Sequence, residues 1–258
     1  MDEARQLADL RRLLAESSKH SGYQVLPRQL EERLGELDVP IKSRHERERL
    51  RFLQAHLSFR DAAVLDIGGN TGFFSFEALA AGAASVDLHE GNPAHARFVE
   101  RAAALLGMSD RLRVAPGYFD FADPPVTRTY DVGILLNVLH HVGDDFGDAS
   151  ISVDAARDAI GDSLRRMSRV VRTLAFQLGF CWKGDRTLPL FREGTKAEQL
   201  EFLRERTAED WETIAVGVAE VDGGEVVYRE PTAENMRRRD DLGEFLNRPL
   251  LVLRSRHR

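Results

Sequence analysis

The chain contains a single cysteine, Cys181, among 258 residues. One thiol excludes an intrachain disulfide and any zinc site built from several cysteines, and it fits a reducing compartment. There is no basic excess: 36 Lys and Arg stand against 42 Asp and Glu, a formal charge of −6. That balance argues against a general nucleic-acid binder, whose footprint is usually basic. No apolar run approaches the ~18 residues that a membrane-spanning helix needs. The opening stretch MDEARQLADLRRLLAESS is charged throughout, unlike a secretory or transit leader. The expectation is a soluble cytoplasmic protein, with 43% hydrophobic residues and length enough for a sizeable core.

What is present is a change of pattern near residue 62. Before it, Ala4, Leu7, Leu10 and Leu14, then Leu30, Leu34 and Leu37, then Leu50, Leu53 and Leu57 recur at helical spacing. After it, short apolar runs alternate with amphipathic stretches. AAVLDIGG, SVDLHE, residues 112–115, TYDVGILLNV and VVRTLAFQLGF read as buried strands, with helices at 93–106 and about 153–168 between them. Such alternation predicts an α/β fold with a doubly wound, mostly parallel sheet. Residues 1–60 then form an N-terminal helical cap or lid, and 61–258 the main domain. Residues 182–194 read as a surface loop. Beyond it KAEQLEFLRERTA reads as a helix, and two further strand patterns flank a Gly-Gly turn.

The informative stretch is Val64-Leu65-Asp66-Ile67-Gly68-Gly69-Asn70-Thr71-Gly72. A strand ending in an acid and a glycine-rich turn opening a helix lets a ligand approach the backbone closely and aims amide N–H groups at it. No Gly-Lys-Ser/Thr follows, so it is not a phosphate loop. A dinucleotide fingerprint fails at its second glycine, where Asn70 stands. Glu90 lies eighteen residues after Gly72, at the end of the next strand. A carboxylate there can accept both hydroxyls of a ribose.

Residues 62–142 resemble the class I S-adenosylmethionine-dependent methyltransferases, on VLDIGGNTG, VDLHEGNP, APGYFDF and YDVGILLNVLHHV. The resemblance implies S-adenosyl-L-methionine as cofactor. Asp66, Gly68, Gly69, Asn70 and Gly72 would line its methionine and ribose side, and Glu90 with Gly91 would hold the ribose. Asn137 would sit beside cofactor and acceptor. Two positions depart from the pattern. Asn70 replaces the central glycine, and Asn is the non-glycine residue that best tolerates a left-handed turn. Tyr118 replaces the acid near the adenine amino group, leaving Asp120 to substitute, or Tyr118 and Phe119 to wall the ring.

His140 and His141 are the candidate general bases for an acceptor that must lose a proton. No metal is expected. Helical spacing would pair His140 with Asp144 and His141 with Asp145, but helix capping is the favoured role for those acids. Lys19, His20, Tyr23 and Gln24 form a candidate lid segment over cofactor and substrate. Arg44, Trp182 and Lys183 are candidate acceptor contacts. The leading expectation is methyl transfer to an O or N atom of a small metabolite, a bacterial natural-product or sugar intermediate. No Asn-Pro-Pro-Tyr-like segment follows the fourth strand, which disfavours nucleobase or amide nitrogens, and net acidity disfavours RNA. The rival readings are an aminopropyl-type transferase and a catalytically silent cofactor-binding module. Partners beyond the acceptor, and self-association, stay open.

Overall fold

The computed structural model describes residues 3–16, 22–35 and 41–258. Contacts divide the chain into two compact units, Met1–Glu46 with Phe59–Tyr118, and Arg47–Ser58 with Phe119–Arg258. In this division the first helices group with the first three strands.

In the first unit, β1 (Ala63–Ile67), β2 (Ser85–Glu90) and β3 (Leu112–Pro116) pair in parallel in the order β3-β2-β1. Each strand is short, and β1 is almost wholly buried, as parallel strands covered on both faces are. Helices α1 (Glu3–Ala15) and α2 (Arg28–Leu34) precede β1, while α4 (Phe73–Ala80) and α5 (Pro93–Leu105) link the strands. The helix between, α3 (Glu46–His56), falls from Arg47 onward in the second unit. The start of α5 is written in its sequence. The Asn92 side chain accepts the N–H groups of Ala94 and His95, and Pro93 occupies the first turn, where its missing N–H costs nothing. Helix α1 packs on α5.

In the second unit, β4 (Tyr130–Leu136) and β5 (Val171–Gln177) are parallel, flanked by α6 (Val153–Met167) and α7 (Lys196–Thr207). The remaining strands β6 (Trp211–Asp222), β7 (Glu225–Arg229) and β8 (Leu250–Ser255) are antiparallel, giving the order β4-β5-β8-β6-β7. Gly223 and Gly224, both at positive φ, make the two-residue turn between β6 and β7. On α3, the Phe52 ring fills the space over Gly217 of β6, where a Cβ would come within 2.8 Å of it. The architecture is α/β with a mostly parallel set of strands, as the pattern predicts. Among the described residues, no helix is long and apolar enough to cross a membrane.

Candidate functional site

The turn after β1 is built from alternating left-handed residues: Gly68 at φ 71°, Asn70 at 54° and Gly72 at 85°. Asn70 therefore takes the conformation expected of it, and its side-chain oxygen accepts the N–H of Thr71 at 2.8 Å. Gly69 is required for another reason. A Cβ there would meet Leu88 Cδ1 at 2.5 Å and Asp66 Oδ2 at 3.0 Å.

Asp66 lies beneath this turn, 2% exposed, and accepts the Ser75 hydroxyl at 2.6 Å. Burial pushes its carboxyl up to about 7; the Ser75 bond opposes the rise and the neighbouring Glu90 charge adds to it. Asp66 thus shapes the turn from below. Ser75 was not singled out from the sequence, although its place one helical turn after Thr71 aims it back at β1.

Glu90 anchors the turn from the side. Its Oε2 accepts the N–H of Asn70 and its Oε1 that of Asn92, both at 2.7 Å. Tyr118 is 58% exposed, and its ring lies against Gly91, where a Cβ would fall 2.3 Å from Tyr118 Cε1. A partly exposed aromatic side chain therefore lies against the residue that follows Glu90.

One expectation about the turn needs correction. Most of its amide N–H groups are not left pointing at a ligand. Glu90 takes that of Asn70, the Asn70 side chain that of Thr71, and Gly69 O that of Gly72. The Phe73 N–H, at the start of α4, is taken by Gln24 Oε1 at 3.0 Å, which also accepts the Thr71 hydroxyl at 3.1 Å. An amide oxygen from the segment before β1 thus fills the place a helix N-terminus offers to an anion. Tyr23, 39% exposed, lies beside Gln24, with the Arg44 guanidinium 4.6 Å over its ring. Lys19 and His20 lie outside the described residues.

The second unit carries the remaining candidates. Phe119 is buried, its ring 4.9 Å from that of Phe121. Asp120 is committed to a local turn, accepting the N–H groups of Ala122 and Asp123. Asn137 follows β4 in the left-handed region at φ 63°. Its amide donates to Gln177 Oε1 at 2.9 Å and accepts from Arg248 at 2.9 Å.

His140 and His141 lie on a single tight turn, Leu139–His141, with ring centroids 4.3 Å apart. They are not equivalent. His140 is 2% exposed, and its Nδ1 accepts the Gly179 N–H at 3.3 Å. Accepting at Nδ1 places the proton of the neutral ring on Nε2, so that ring has no basic nitrogen to spare. A Cβ on Gly179 would fall 2.6 Å from His140 Cδ2, so the backbone of this strand end is built around the ring.

His141 is more open, and its Nδ1 has both Asp144 (3.7 Å) and Asp145 (3.6 Å) near it. Helical spacing suggested one acid per histidine. The turn is tighter than an α-helix, and the His141 carbonyl accepts the N–H groups of both Asp144 and Asp145, so both acids gather on the second ring. Those three side chains form a group whose ligand atoms lie within 4.8 Å of one another.

Trp182 and Lys183 serve this loop. The Trp182 indole, 6% exposed, donates to Val142 O at 2.5 Å. The Lys183 ammonium lies 4.2 Å over that indole ring and reaches Ala149 O. Both side chains brace the 139–149 segment, a role their rim position after β5 did not reveal.

No protein-family model matches the sequence, and no curated relative does. Solved structures do resemble it in fold. WbdD superposes with a TM-score of 0.57 at 17% identity, covering 95% of this chain and 46% of that one. The mitomycin 7-O-methyltransferase MmcR gives 0.50 at 18% identity, covering 95% and 60%. The chain shares with these structures an α/β, Rossmann-like fold with a mostly parallel sheet.

Proposed function

We propose that the protein is an S-adenosylmethionine-dependent methyltransferase acting on an O or N atom of a small metabolite, of natural-product or sugar type. The observation that carries this reading is the turn of Gly68, Asn70 and Gly72, held on one side by Glu90 and flanked by the open Tyr118 ring. Its close backbone, a carboxylate for a diol and an aromatic face for a base suit an adenosine better than a dinucleotide, whose second glycine is missing. The cofactor supplies an electrophilic methyl on a sulfonium. Glu90 would accept from the ribose hydroxyls, Tyr118 would cover the adenine, and the turn would receive the methionine part.

His141 is the better general base of the pair, because Nδ1 of His140 is spent on Gly179. Proton uptake by His141 would place a positive ring beside Asp144 and Asp145, which stabilise it. The acceptor's orientation would supply much of the remaining rate.

The test is thermal unfolding with S-adenosylmethionine, its demethylated product or NAD, followed by cofactor consumption with a pool of small hydroxyl and amine compounds. A ligand at ~100 times its Kd adds about 2.7 kcal/mol. A rise with the two methionine-derived ligands alone supports the cofactor. A rise only with NAD, or none, removes the reading. His141→Ala should lower turnover about 100-fold or more with cofactor affinity intact. Turnover unchanged by that substitution excludes His141 as the base, and binding without turnover of any acceptor favours the silent module.

A further inference from the structure

The strands of the second unit end at β7, which pairs with β6 on one side and with no other strand among the described residues. An open edge presents a row of N–H and C=O groups that another strand can pair with, and proteins usually blunt it with lysine, proline or a bulge. β7 reads Glu225-Val226-Val227-Tyr228-Arg229, with no lysine or proline, and its two charges stand at its ends. Its register against β6 is unbroken from Val218↔Arg229 to Asp222↔Glu225, and Val226, Val227 and Tyr228 are only half-buried. The turn decides which backbone groups face outward. Across the two residues Gly223 and Gly224, the closing pair Asp222 and Glu225 exchanges both hydrogen bonds, and such pairs alternate along an antiparallel ladder. Glu225, Val227 and Arg229 therefore direct their backbone groups to β6, while Val226 and Tyr228 direct theirs away from it.

The side chains of this edge are complementary to the same edge read backwards. Laid antiparallel on a second copy about Val227, Val226 meets the partner's Tyr228, Val227 the partner's Val227, and Glu225 the partner's Arg229. The outward groups then form the hydrogen-bonded pairs, and Glu225 with Arg229 falls in the class whose side chains lie closer. Within one strand the two charges are about 13 Å apart, four steps of ~3.3 Å, so they do not neutralise each other. Glu225 is exposed and has no hydrogen bond or ion pair among the described residues. Arg229 directs Nε at Glu220 and Nη2 at Asp222, but its side chain keeps 54% of its surface open, so Nη1 is reachable. The opposite face of the hairpin carries the facing pairs Ala219↔Tyr228 and Val221↔Val226, and Val221 is 47% exposed. Edge pairing sets Val221 and Val226 in one row with the partner's Tyr228 and Ala219, which extends that apolar face across both copies.

We propose that β7 is a self-association edge, on which a second copy of this chain pairs antiparallel about Val227, with a Glu225–Arg229 ion pair closing each end. A two-fold contact uses each pairing twice, so a five-residue strand supplies two charge pairs and two hydrogen-bonded residue pairs. The occupant is a second copy rather than a foreign strand because the opposite charges at the two ends match only under this reversal. Self-association here is independent of methyl transfer.

Sedimentation equilibrium and oxidative cross-linking of the full chain test this. The wild type should reach twice the 29.0 kDa of one chain as concentration rises and dissociate on dilution. Glu225→Arg sets like charges against each other at two places and should weaken association about 10-fold or more. Val226→Pro removes an N–H that β6 does not use, so the hairpin should tolerate it while pairing between copies is lost. Cross-linking reads the register. In a Cys181→Ala background, Val227→Cys should give a disulfide-linked dimer with oxidised glutathione, since that position faces itself across the two-fold axis. Glu225→Cys should not, because its two copies lie about 13 Å apart, beyond the reach of a disulfide. A wild type that stays monomeric at every concentration overturns the proposal. So does a dimer whose affinity is unchanged in Glu225→Arg or Val226→Pro, and so does equal cross-linking from the two thiol variants. Should Val226→Pro fail to fold, Glu225→Arg and the cross-linking comparison decide the matter alone.

Discussion

Glu90→Gln is expected to cost global stability roughly 2–4 kcal/mol and, under the proposed function, cofactor affinity at least 100-fold. The carboxylate accepts one backbone N–H on each oxygen, from Asn70 and Asn92. A carboxamide has one oxygen and one NH2 group, so one of those N–H groups would face another donor. Asn70 would lose the bond that holds it at φ 54°, and the turn between Gly68 and Gly72 would lose its side support. Start-of-helix geometry at α5 would suffer less, because the Asn92 side chain still caps Ala94 and His95. Urea unfolding and calorimetric titration with S-adenosylmethionine read the two effects separately. Stability and affinity both within twofold of the wild type would show that Glu90 supports neither the turn nor the ligand.

Asp66 gives the second large effect, and it is a pH effect. Unfolded, its carboxyl titrates near the ordinary value of 3.8; folded, it titrates at about 7. Between those values the folded state holds a proton that the unfolded chain has released, so stability falls as pH rises. The contribution is fully present below about pH 4 and is lost as pH rises through about 7. Its full size is on the order of 4 kcal/mol. Asp66→Asn keeps a polar group against Ser75 and cannot ionise. The stability difference between variant and wild type should therefore grow in the variant's favour from pH 4 to pH 7 and stay constant above. A difference that does not change with pH would mean that Asp66 is ionised throughout. Under the proposed function a sulfonium cation near the turn favours the ionised form, so cofactor binding should release a proton when measured near pH 7.

The candidate cofactor turn was legible because its information is local. Gly68, Asn70 and Gly72 lie within five residues, and left-handed conformations have few residue types that suit them. The strands were legible for a similar reason, since AVLDI, SVDLHE and VRTLAFQ are short apolar runs with turn residues at their ends. The expectation that the turn's N–H groups await a ligand failed because acceptors within the protein take them, two inside the turn and two, Glu90 and Gln24, far from it in sequence. Gln24 is 49 residues from Phe73, and no periodicity or spacing links the two. The bond that Trp182 makes was hidden in the same way. Its rim position suggested an acceptor contact, but its indole is 40 residues from the carbonyl that it braces.

By itself, then, the sequence determined the order of strands and helices, the left-handed turn and the acid that follows β2. These depend on hydrophobic period, turn chemistry and capping, which act over a few residues. Only the tertiary structure decided what each polar group is bonded to. It separated His140 from His141 by giving Gly179 to the first ring and two carboxylates to the second. It also joined Asn137 to Arg248 across 111 residues. Burial makes most polar groups find a partner, and which partner each finds is set by chain packing rather than by its neighbours in sequence.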